Sequence, residues 1–347
     1  MLIELAERRA LPDAVIRHGI RRLLQQRLEK QHAIAAIDDR AARLREQFAA
    51  GRIAEATDAA RAQHYEAPTE LFQWMLGPRL KYSGCLWEAG TSDLAAAEEA
   101  MLALTCQRAD VRDGQRILDL GCGWGSLSLW LAEQYPHAEI VAVSNSRTQH
   151  EFIVQRAEDR GLTNLTHHVG NVAELESDPL PTPWNELGRF DRILSIEMFE
   201  HMRNLHKLLT NAAEWLADDG RLFVHVFCHR ELFYRFVDAG KADWMARHFF
   251  TGGAMPPVDL FEHVAGPLRL VDRWEVDGTH YARTCRAWLE NLDEHREAIV
   301  HRFEQDLPAR AARRQWQRWR MFVMACEELF ATADGSEWLV SHHLLAK

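Results

Sequence analysis

Residues 117–125 read Ile117-Leu118-Asp119-Leu120-Gly121-Cys122-Gly123-Trp124-Gly125, an apolar run that breaks into glycine at every second position. Such a run predicts a buried strand, and the glycines predict a turn whose backbone can approach a ligand. A helix expected from about Ser126 would leave its first amides free to bind that ligand. Dinucleotide enzymes use a related turn, but here Ser126 stands where their third glycine belongs. The next strand also ends in Ser144-Asn145, with no acidic residue for a ribose. Hydride transfer is thereby reduced to a remote alternative.

Outward from this stretch, short β-rich runs alternate with helical spacing: residues 116–120, 139–144, 165–170, 191–196 and 221–227. That alternation predicts a parallel sheet with crossover helices, an α/β Rossmann-like core. A Trp- and Phe-rich segment at about 228–266 and a helical stretch at 283–333 read as additions on the substrate side. Strands are expected at 268–276 and 338–346. Residues 1–65 carry no strand signal and space Ile16, Ile20, Leu23, Leu24 and Leu28 as a helix does. They read as a helical N-terminal region before a domain spanning 66–347. Its basic residues Arg21, Arg22 and Arg27 are interleaved with acidic ones, which favours a solvated face over a lipid-binding one.

The chain of 347 residues is 47% hydrophobic, enough for one large core, and its net charge of -10 has the wrong sign for tracking nucleic-acid phosphates. No apolar run approaches the roughly 20 residues that span a bilayer, and Glu4, Glu7, Arg8 and Arg9 interrupt the N-terminus. A cytoplasmic protein is expected. The six cysteines form no C-x-x-C pair and no regular framework, so reduced thiols are expected and no metal site. The pairs His167-His168 and His342-His343 would point to opposite faces of a strand, as core or surface histidines rather than ligands.

Asp119 places a carboxylate at the strand's carboxyl end, where it could accept bonds from the α-amino group of a methionine moiety; capping the turn is the bland alternative. Glu197, Glu200 and His201 follow the strand at 191–196 directly. Their spacing of i, i+3 and i+4 would share one face of a helix. A charged first helical turn explains an isolated E-x-x-E-H equally well.

The segments ILDLGCGWGSL, SNSRTQ (144–149) and SIEMFEHM (195–202), with YSG at Tyr82, FFTGGAMP at 249–256 and GTHYA at 278–282, resemble the cyclopropane fatty-acid synthase superfamily of methyltransferases. The likeness runs from about Tyr82 to the C-terminus and is strongest to the coclaurine and pavine N-methyltransferase branch. It implies a class I core with a mostly parallel seven-stranded sheet and S-adenosylmethionine as cosubstrate. It assigns Gly121, Gly123, Asn145 and Gln149 to that ligand, with Ser83 and Ile196 in the same matching segments. Asn171-Val172 falls where the family often has Asp before an apolar residue at the adenine.

In the N-methyltransferase branch the acid/base residues fall on E-x-x-E-H, hence Glu197, Glu200 and His201 here. Methyl transfer needs an amine with a free lone pair, and a carboxylate–imidazole cluster can orient the amine and take its proton. The lipid-modifying relatives hold a bicarbonate at positions matching Glu200, His225 and Tyr281. Against this stands Gly84, which replaces their cysteine. Cys326 matches a cysteine once proposed as essential in those synthases, though on a helix with Met321, Phe322 and Phe330 it also reads as packing. Tyr82, Trp87, Trp244, Phe249 and Phe250 are candidates to line an apolar substrate cavity.

The leading expectation is methyl transfer to the nitrogen of a small hydrophobic or aromatic amine. Cyclopropanation of unsaturated phospholipid acyl chains, with peripheral membrane contact, is the rival, and a silent cofactor-binding module is remote. The family suggests a homodimer.

Overall fold

The computed structural model describes residues 2–35, 39–54, 67–238, 240 and 243–347. Nine strands are present among them: β1 Arg116–Leu120, β2 Glu139–Ser144, β3 Leu165–Val169, β4 Phe190–Ile196, β5 Leu216–His229, β6 Tyr234–Arg235, β7 Ala254–Met255, β8 Arg269–Val276 and β9 Trp338–Ala346. Seven form one sheet in the order β3-β2-β1-β4-β5-β9-β8, while β6 and β7 pair as a separate ribbon. β1 to β5 are parallel and β9 runs antiparallel to both its neighbours. This is the Rossmann-like α/β core expected from the alternation of strands and helices.

The order reverses direction between β1 and β4, which opens a crevice beyond their carboxyl ends. β1 is enclosed on both faces, with Ile117, Leu118 and Leu120 wholly buried, so its continuous apolar run has nowhere else to go. Helices Gly278–Glu294 and Ala309–Phe330 pack on each other and contribute to the walls of the crevice.

The N-terminal helix Asp13–Ala35 lies against Ala309–Phe330. Arg17 donates to Glu327 at 2.6 Å and Glu328 at 2.8 Å, and Arg320 reaches Asp13 at 2.7 Å. Ile16 and Leu28 are buried, as their spacing suggested, but Leu23 faces outward. Arg21 and Arg22 stay exposed, Arg21 pairing with Glu328 at the surface, as a solvated face requires, while Arg27 turns toward the protein and lies over the ring of Tyr234. The boundary expected at residue 65 falls outside the described residues. No helix among the described residues is long and apolar enough to cross a membrane.

Candidate active site

One cavity of about 250 Å³ runs from the glycine turn to the aromatic side chains of the overlying helices. At its polar end, Gly121 and Gly125 have φ of 84° and 76°, the left-handed region. A Cβ on Gly121 would meet Met198 Sδ at 2.8 Å, and one on Gly125 would meet Ile153 at 2.7 Å, so neither position admits a side chain. Helix Ser126–Gln134 opens directly after Gly125, and its first amides face this turn.

Asp119 is buried beneath the turn and accepts from Ser128 Oγ at 2.5 Å. Burial pushes its carboxyl up to about 7, against the Ser128 hydrogen bonds that oppose the rise. Gly121, Gly123, Asn145, Gln149, Asn171, Val172, Ile196 and Ser83 line the same cavity. Asn171 Oδ1 also accepts from the amide of Ala173, capping the turn Val172–Glu176. Buried Trp124 Nε1, Ser126 Oγ and Gln149 Nε2 have no hydrogen-bond partner within the protein. Buried donors left so are costly unless a ligand meets them. The donor set and the glycine cradle fit the adenosyl and amino-acid parts of S-adenosylmethionine.

Glu197 sits where β4 ends. Its amide donates to His225 O at 2.8 Å, and its own φ of 49° turns the chain out of the sheet. A non-glycine residue in that region costs roughly 1–2 kcal/mol, which the contacts of its side chain offset. Oε1 accepts from the Gly84 amide at 3.0 Å and lies 3.3 Å from His225 Nε2, while Oε2 accepts from the Tyr281 hydroxyl at 2.8 Å. Burial raises its pKa above the usual carboxylate range, opposed by the charge of Lys81, the Gly84 amide and Tyr281.

The expectation of one helical face for Glu197, Glu200 and His201 is not met. Only a short 3₁₀ turn, Phe199–His201, follows β4, because the left-handed Glu197 cannot begin an α-helix. Glu197 and His201 line the cavity, but Glu200 turns to the amide of Phe227 at 2.7 Å and leaves Oε2 without a hydrogen-bond partner. Burial and the neighbouring Glu197 raise Glu200 well above the carboxylate range. His201 packs on Phe250, and burial lowers its pKa to about 4, so its imidazole is neutral at pH 7.

The groups matched to a bicarbonate site do not fit one here. His225, Tyr281 and the Gly84 amide all meet the Glu197 carboxylate, and Glu200 is occupied elsewhere. A second anion would find these donors taken and face a like charge.

In the apolar half, Tyr82 and Phe250 line the cavity as the sequence suggested, and Tyr281 and Cys326 line it as well. Four other candidates do not. His225 is wholly buried in β5 beneath Glu197, and Trp87 faces Thr284, to which its indole donates at 2.9 Å. Trp244 donates to Glu7 at 2.8 Å, and Phe249 stacks on Phe322 with centroids 4.4 Å apart. Each satisfies a polar tip or a ring face inside the protein. Met198, Met245, Trp288, Phe322 and Phe330 line the cavity without having been singled out in sequence. For Phe322 and Phe330 the signal was their place beside Cys326, and for Met198 its place in SIEMFEHM; for Met245 and Trp288 there was none. Lys81, which precedes Tyr82 and is buried with Nζ on Ser83 Oγ and Gly84 O, was also missed.

Residues 54–336 match the family model described as mycolic acid cyclopropane synthetase. The chain is 35% identical over 289 residues to an (S)-coclaurine N-methyltransferase of Thalictrum flavum subsp. glaucum, covering 82% of this chain and 78% of that protein. A coclaurine N-methyltransferase solved with N-methylheliamine and S-adenosylhomocysteine superposes with a TM-score of 0.90 at 32% identity, over 100% of this chain and 99% of that one. A cyclopropane synthase of Mycobacterium tuberculosis superposes with a TM-score of 0.67 at 25% identity, over 85% of this chain and 99% of that one.

Proposed function

The chain belongs to the mycolic acid cyclopropane synthetase family, and from that premise we propose that it methylates the nitrogen of a small hydrophobic or aromatic amine. S-adenosylmethionine is the cosubstrate and, when bound, supplies the electrophilic methyl group. The observation that carries the choice of acceptor is the Glu197 carboxylate, held by three donor groups inside a cavity otherwise walled by rings such as Tyr82, Phe250 and Phe322. An amine arriving as a cation gains a partner in that carboxylate. An acyl alkene offers that negative charge no counter-ion, and stripping water from a charge against hydrocarbon with no new partner in return is a net cost.

In this reading Glu197 attracts and orients the ammonium, and an imidazole nitrogen of His201, unprotonated at pH 7, relays the amine's proton outward and frees the lone pair, the charge of Glu197 opposing the cost that burial sets on the imidazolium. Asp119 holds the α-amino group of the cosubstrate. Glu200 supports the loop through the Phe227 amide and does not touch substrate. Cys326 supplies wall. The N-terminal region and the domain that follows form one working unit, cytoplasmic and homodimeric, and light scattering of the purified protein tests the dimer.

The deciding experiment incubates the enzyme and methyl-labelled S-adenosylmethionine with coclaurine, with heliamine, and with vesicles of unsaturated phospholipid. Label in the amines supports the reading. Label in the vesicles alone replaces it with cyclopropanation, and label in none of them after cofactor binding has been verified removes this acceptor class.

A further inference from the structure

The sheet lays a row of side chains that leads away from the site. In register, Ile196 of β4 neighbours His225 of β5, His225 pairs with His342 of β9, and His342 pairs with Trp274 of β8. Arg108, in the last turn of helix Leu94–Arg108, lies over the Trp274 ring with its guanidinium carbon 5.3 Å from the centroid. Its Nη1 is 2.8 Å from His342 Nδ1, His342 Nε2 is 2.9 Å from His225 Nδ1, and His225 Nε2 is 3.3 Å from Glu197 Oε1.

The hydrogens of this chain can be assigned from one end. An arginine only donates and does not deprotonate in proteins. His342 Nδ1 must therefore accept, which places its hydrogen on Nε2, facing His225. His225 Nδ1 must accept in turn, and its hydrogen falls on Nε2, aimed at the carboxylate. Burial keeps both rings neutral, helped by the positive charges of Lys81 and Arg108. Such a chain cannot carry a proton away from Glu197, because His225 Nε2 is already protonated. Nor can it pass one inward, since Arg108 does not release its own.

We infer that Arg108 is a positioning residue for the active site: acting through His342 and His225, it locks two imidazole tautomers so that an N–H donor is always presented to Glu197 Oε1. The inference rests on the proposed role of Glu197 for its effect on catalysis, but the tautomers themselves do not. The consequence for the reaction is that the amine's proton leaves by way of His201 and the cavity, not through the sheet.

The test is ¹⁵N-histidine NMR together with steady-state kinetics, the two rings being assigned with His225→Gln and His342→Gln. Wild-type protein should show hydrogen on Nε2 and none on Nδ1 for both rings. Arg108→Met should release His342 into the other tautomer and lower kcat for the amine about tenfold, the scale of one lost hydrogen bond. Affinity for S-adenosylhomocysteine should stay within twofold. Arg108→Lys, which still donates, should restore both the spectrum and the rate. Hydrogen on Nδ1 of either ring in wild-type protein overturns the inference even if Arg108→Met does not fold. Unchanged tautomers and rate in folded Arg108→Met overturn it as well. If no amine is methylated, the proposed function falls while the spectra still decide the lock.

Discussion

Glu197→Gln separates the charge of the carboxylate from its shape. The amide keeps an oxygen that can accept from Gly84 N–H and His225 Nε2–H, the two groups around Oε1. Its nitrogen then replaces Oε2 opposite Tyr281, whose hydroxyl can turn and accept instead of donate. The side chain therefore stays in place and only the negative charge is lost. A hydrogen bond to a charged group contributes roughly 1.5–3 kcal/mol, and kcat/KM for a cationic amine should fall about 10- to 150-fold. His201 stays neutral in the variant, because the charge of Glu197 opposes the burial-driven fall of its pKa and its loss can only deepen that fall. Affinity for S-adenosylhomocysteine should not change, since Glu197 does not belong to the glycine turn. The assay is initial-rate kinetics with heliamine beside calorimetric titration of the product nucleoside. An amine kcat/KM within twofold of wild type would refute the electrostatic role, and a parallel loss of nucleoside affinity would show that the variant had deformed the site.

Asp119, with its pKa raised to about 7, must be ionised to meet an α-ammonium; S-adenosylhomocysteine should bind about tenfold more weakly at pH 6 than at pH 8, and Asp119→Asn should bind poorly with a flat profile, both read by calorimetry. His343 is buried with its pKa lowered to about 3, so it adds stability above about pH 6.5 that is lost as pH falls toward 3. Acidification from pH 7 to pH 5 should thus remove about 2 kcal/mol through this group, and denaturant titrations should show His343→Leu losing less than wild type over that interval; equal losses would count against it. Cys326→Ser leaves a side chain of similar size on the cavity wall, and turnover should change less than about threefold. A hundredfold fall would make the thiol a reactant.

The nine residues at 117–125 carried most of the fold, because a buried strand entering a glycine turn leaves a local signature: continuous apolar residues, then positions where no Cβ fits. The strands at 139–144 and 338–346 were legible for the same reason, each being a run of the right length between breakers. Asp119, Asn145 and Gln149 followed, since a turn and its two neighbouring strands lie close in sequence. The E-x-x-E-H segment was found but its geometry was misjudged. The i, i+3, i+4 rule assumes a helix, and the left-handed turn at Glu197 is set by contacts with Gly84, His225 and Tyr281 from three distant segments. Trp87, Trp244 and Phe249 have the composition of cavity walls, yet Thr284, Glu7 and Phe322 claim them. His342 read as an ordinary strand histidine because its meaning lies in register: only the antiparallel pairing of β5 with β9 sets it against His225, and only the end of helix Leu94–Arg108 brings it an arginine. What sequence determined by itself was whatever a run of adjacent residues could enforce, while the directions of Glu197, Trp87, Trp244, Phe249 and His342 waited for partners on other elements, from 28 to 237 residues away.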